Sequence, residues 1–99
     1  MKIKLYSIMD AKLATFGSIH QSLTDSAAVR QFADVIQDKN NFISKHPEDF
    51  SLYRIGEYDD ETGNLIPSVP QALVTASSLL SNEPNEIPLE NNGRAALVN

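Results

Sequence analysis

From Lys2 to Asp10 the chain alternates, with Ile3 and Leu5 on one side and Lys2, Lys4 and Tyr6 on the other. That is the period of a half-buried strand, and it points Ile3 and Leu5 to a core and Lys2, Lys4 and Tyr6 to solvent. Asp10, Ala11 and Lys12 read as a turn. Residues 13–19 then return as a second strand, with Gly17 at a bulge or bend. After Thr24 the period changes. Val29, Phe32, Ala33 and Ile36 recur at helical spacing, with Ala28 and Val35 at the edges of the stripe. Thr24 or Asp25 can cap this helix, and Lys39, Asn40 and Asn41 supply its stop signals, so it is predicted from about Asp25 to Lys39.

The segment SKHPEDFSLYRIGEYDDETGN, residues 44–64, holds a proline-led turn, an aromatic strand and an acidic glycine turn in succession. Ser44 is a candidate cap. Pro47 excludes helical geometry from the residue before it, so a single turn is predicted with Pro47 at its first position. Phe50 and Leu52 are assigned to the core. Residues 51–58 read as a strand, Asp60-Glu61-Thr62-Gly63 as a type I turn ending in a left-handed glycine, and residues 64–67 as a short closing strand. Pro70 is taken to start a last helix with Leu73, Ala76 and Leu80 on one face, ending near Ser81. Residues 82–99 lack periodicity and read as a flexible polar and acidic tail. The fold class is therefore α+β: one domain over residues 1–81, with an antiparallel sheet of three to four strands, one main helix packed on one face and a short C-terminal helix.

At 99 residues the chain supports one small core. It has no cysteine, which excludes disulfides and thiolate chemistry and suits a reducing compartment. The apolar stretch after Lys4 is cut off by Asp10, so no export signal is expected, and no apolar run approaches a membrane span. The net charge of −5 argues against a polyanionic partner, yet the charge is uneven. Residues 56–99 hold seven acidic side chains against Arg94 alone, whereas residues 1–55 are nearly neutral.

Asp59, Asp60, Glu61 and Gly63 do not keep the spacing of a calcium loop, and a hairpin turn accounts for them. His46 beside Glu48 and Asp49 reads as a solvated turn rather than an acid-base or metal cluster. No nucleophile elbow or phosphate loop occurs, so no catalytic residue, metal or cofactor is expected. One constellation carries a binding hypothesis. Cations beside rings make a platform for single-stranded DNA, and Lys2, Lys4, Tyr6, Lys12, Arg54 and Tyr58 are its candidate residues, with Arg54 and Tyr58 expected to share a strand face.

Residues 28–67, above all SKHPEDF followed by LYRIGEYDDETG, resemble the small non-structural protein of gokushovirus-type microviruses, tailless phages with a circular single-stranded DNA genome. MKIKLYSIMDAK and the helix AAVRQFADVIQD add to the likeness, which spans roughly residues 1–80. The resemblance implies a non-enzymatic role in genome replication and packaging in the host bacterial cytoplasm, with single-stranded DNA as the expected partner. The alternative is an adapter for a phage replication or capsid protein that does not touch DNA. A homo-oligomer is expected in either case, joined by strand addition or the last helix, with no membrane contact.

Overall fold

A computed structural model of the chain describes residues 1–81. Strands β1 (Lys2–Asp10), β2 (Thr15–Ser22), β3 (Phe50–Asp59) and β4 (Leu65–Thr75) form one antiparallel sheet in the order β2-β1-β3-β4. Helices α1 (Asp25–Gln37), α2 (Phe42–Lys45) and α3 (Ala76–Ser81), with a single 3-10 turn at Pro47–Asp49, complete the α+β domain. The tail expected over 82–99 lies outside the described residues.

Helix α1 begins where the sequence places it. The Thr24 hydroxyl accepts the Ala27 amide at 3.1 Å, which satisfies one orphan donor, and Asp25 stands at the positive end of the helix dipole. Ala28, Phe32 and Ile36 recur every fourth residue as one buried ridge, with Val29 beside them. They meet Tyr6, Leu52 and Ala76, and Ile8, Ile43, Phe50, Val74 and Leu80 pack against that cluster. All the strand side chains named here lie on one face of the sheet, because Tyr6 pairs with Arg54, Ile8 with Leu52, Asp10 with Phe50 and Leu52 with Val74.

That cluster reverses the faces expected for β1. Tyr6 is 1% exposed beneath α1, and Ile3 and Leu5 point away from the helix. Both faces of β1 carry apolar residues, so alternation defines two sides without saying which one the helix covers. Tyr6 lies in the core beneath α1 and Ile8 packs against it, while Lys4 on the same side is only partly buried.

The last helix is also shorter than expected. Strand β4 runs through Pro67 and Pro70 to Thr75, and α3 starts only at Ala76. Both prolines sit on an edge strand, where a missing amide costs no ladder bond, and register shifts in the β3–β4 pairing absorb them. Upstream, Asn41 caps the unexpected helix α2 by accepting the Ser44 amide at 2.9 Å, and the turn that follows has His46 rather than Ser44 as its N-cap, without a side-chain hydrogen bond. The 3-10 turn then starts on Pro47, as the sequence requires. In the β3–β4 hairpin Gly63 has φ 78° and donates its amide to the Asp59 carbonyl at 2.8 Å, the expected turn.

Candidate interaction surfaces of the sheet

Four of the six residues assigned to a DNA platform lie on the helix side of the sheet, and each faces a carboxylate or lies in the core. Lys2 stands opposite Asp59, Lys4 opposite Glu57, and Tyr6 opposite Arg54. The Tyr6 hydroxyl donates to Asp25 Oδ1 at 2.7 Å, and the Arg54 guanidinium forms an ion pair with Asp25 Oδ2 and a second hydrogen bond to Gln71 Oε1. Asp25 thus gathers β1, β3 and β4 onto the first turn of α1. The Tyr6 hydrogen bond first, then the Arg54 guanidinium, holds the Asp25 carboxyl below its ordinary range against an opposing effect of burial. Burial and the same carboxylate push the Tyr6 phenol up. Asp25 also raises Arg54. The Tyr6 ring is buried, and the Arg54 guanidinium is partly exposed and held by Asp25 and Gln71.

The other two residues are elsewhere. Tyr58 pairs with Ile3 on the opposite face, because the β1–β3 register skips Ile55 and moves Tyr58 across the sheet from Arg54. Lys12 sits in the Ala11–Ala14 turn at the far end of β1, ~27 Å of strand from Lys2. The sequence reading therefore found a set of residues that the fold divides among three places.

Sequence reasoning missed the face turned away from the helices. Its paired residues are Ile3, Leu5, Ser7 and Met9 on β1; Phe16, Ile19 and Gln21 on β2; Ser51, Tyr53, Gly56 and Tyr58 on β3; and Leu65, Pro67, Ala72 and Thr75 on β4. None is charged, whereas Lys2, Lys4, Asp10, Arg54, Glu57 and Asp59 all lie on the helix side. The rings of Phe16 and Tyr53 meet edge to face at 5.2 Å. Ser7, which pairs with both Ile19 and Tyr53, is 1% exposed and donates its hydroxyl to the Gly17 carbonyl at 3.0 Å. A half-covered antiparallel sheet ordinarily shows water a polar face. Phe16 and Ile19 sit in the sequence as apolar positions of an expected strand, but the bulge at Gly17 hides that they share a face.

Ligand atoms of His46, Glu48 and Asp49 lie within 4.8 Å of one another on the surface of the 3-10 turn. Among the described residues no helix is long and apolar enough to cross a membrane.

The phage ORF5 protein family matches residues 3–79, all of the sheet and helices except Lys2 and the end of α3. The chain belongs to this family. It is 35% identical over 79 residues to Protein ORF5 of Chlamydia phage 1, an alignment that covers 76% of this chain and 81% of that protein. No solved structure matches. The ORF5 relationship agrees with the microvirus likeness carried by residues 28–67, and the family's extent places both sheet faces and Asp25 inside the shared domain.

Proposed function

We propose that this ORF5 family member is a non-enzymatic accessory protein in the replication and packaging of a single-stranded DNA phage genome, and that it works by adding its β2 edge to a phage replication or capsid protein. One observation carries this reading: β2, Thr15–Ser22, ends the sheet without a charged residue or a proline. Edge strands are ordinarily blunted by charge or proline, and the other edge, β4, has Pro67 and Pro70. Apart from the bulge at Gly17 that interrupts it, the β2 edge offers amides and carbonyls that an extended segment of another chain can complete. The carboxylates opposite Lys2, Lys4 and Arg54 weigh against a phosphate contact as the main source of affinity.

The deciding experiment titrates the purified protein with the phage's replication initiator, with its coat protein, and with a labelled single-stranded oligonucleotide at low and high salt. Protein binding that survives nuclease supports the adapter reading. Oligonucleotide binding in low salt that is lost as salt rises, with neither protein bound, overturns it.

Direct binding of single-stranded DNA is the second reading, and a different observation favours it. Phe16, Tyr53 and Tyr58 share the uncharged face, and bases stack on such rings with little regard for sequence. On this reading the contact moves from Lys2, Lys4 and Tyr6 to those rings.

A further inference from the structure

The uncharged sheet face has the composition of a buried surface, yet the helices all pack on the other side. We propose that a second copy of the chain covers it, packed sheet against sheet about a two-fold axis that runs parallel to the strands between β1 and β3. This interface is separate from the β2 edge, so it stands or falls independently of the adapter reading.

Charge selects the face. Each copy carries −5, and two such copies repel wherever carboxylates are brought together. The face away from the helices is where they can meet with no paired charge on either side.

Shape selects the axis. A two-fold parallel to the strands lays β2 over the partner's β4 and β1 over the partner's β3, and keeps each cross-strand row in register with itself, reversed. In the three rows that span all four strands large residues then face small ones, while in the end row Ile3 falls on the partner's Tyr58. Ile19 shares a row with Ser7, Tyr53 and Ala72, so it falls on the partner's Ala72. Leu5 likewise falls on the partner's Gly56, and Met9 on the partner's Ser51. An axis across the strands would instead lay β2 over the partner's β2 and, if set between their rows, bring Ile19 onto the partner's Phe16.

Area permits a specific contact. Four strands at ~4.8 Å spacing and ~8 residues at ~3.3 Å make a patch of ~500 Å², or ~1,000 Å² over both copies before side-chain relief is added. That reaches the lower limit of a specific interface.

The absence of native cysteine makes the geometry directly testable. Proteins carrying Ile19→Cys or Ala72→Cys are treated, alone and mixed, with a short bismaleimide able to span the ~10 Å between packed sheets. The mixture is expected to give a covalent dimer. Either protein alone is expected to give none, because identical positions lie on opposite edges, ~14 Å apart laterally as well as across the gap. Self-linking of Ile19→Cys overturns the proposal in favour of edge pairing through β2. Failure of the mixture to link, with a monomer in sedimentation at about 100 µM, overturns it outright.

A second measurement is independent of cross-linking. Ile19 is 64% exposed in the single chain, so Ile19→Asp leaves the monomer folded. It places two unpaired carboxylates in the dimer and is expected to weaken association by about a hundredfold or more. Phe42→Asp, at a 72% exposed residue of α2, is expected to change association less than threefold. The reverse ranking contradicts the proposal, as does a monomer that binds an oligonucleotide through Tyr53.

Discussion

Tyr6 and Asp25 lie 19 residues apart and are joined by a 2.7 Å hydrogen bond from phenol to carboxylate. That bond ties the centre of β1 to the first turn of α1, and Arg54 of β3 completes the tie from the other oxygen. Tyr6→Phe keeps the ring in the core and removes only the donor. It is expected to destabilise the fold by about 1.5–3 kcal/mol, the range for a hydrogen bond to a charged group. In urea unfolding the midpoint falls while the slope stays constant.

The same pair shapes the dependence of stability on pH. The Asp25 carboxyl is lowered in the folded state, so its contribution is present above the unfolded value near pH 4 and is lost as pH falls through the folded value. Asp59, lowered mainly by the Glu61 amide, adds to the same acid limb. Asp25→Asn is therefore expected to shallow that limb without abolishing it. The Tyr6 phenol is raised, so its contribution is whole below about pH 10 and is lost as pH climbs beyond that. Tyr6→Phe should flatten the alkaline side and, because the Tyr6 donor is the first cause of the lowered Asp25 carboxyl, shallow the acid limb as well. Urea midpoints of the three proteins from pH 2 to 11 check both signs.

Gly56 is required by a close approach between β3 and β4. A Cβ there would stand 2.6 Å from the Ile66 carbonyl oxygen and 3.2 Å from the Pro67 Cα, both backbone atoms that cannot rotate away. Gly56→Ala is expected to cost about 1–3 kcal/mol as overpacking and to raise amide exchange along Leu65–Thr75 more than along β2.

Ala14 provides the opposite case. It closes the β1–β2 turn with φ 55°, where a Cβ is strained. Ala14→Gly relieves that strain and is expected to raise stability by about 0.5–1 kcal/mol, net of glycine's entropy. A lower melting temperature would contradict the strained turn.

The sequence made the elements legible wherever local chemistry decides them. Thr24 capping α1, the spacing of Phe32 and Ile36, Pro47 opening its turn and Gly63 in the left-handed region were all readable, because each rests on a neighbour within a few residues. What failed depended on tertiary choice. The alternation from Lys2 to Tyr6 was real, but the side that α1 covers is set by how Tyr6 and Ile8 fit against Phe32, not by β1 itself. A single skipped residue, Ile55, then separated Tyr58 from Arg54. Pro70 reads as a helix start because a helix-opening proline is locally sound, and only the edge position of β4 makes it a strand residue.

The working surface of this chain is proposed to be uncharged: a bare β2 edge and a neutral sheet face, with the cations turned to the helix side. Sedimentation velocity with and without a single-stranded oligonucleotide at low salt tests that most directly. A dimer whose boundary the oligonucleotide leaves unmoved is the predicted result. A monomer that co-sediments with the oligonucleotide and releases it as salt rises would contradict the account.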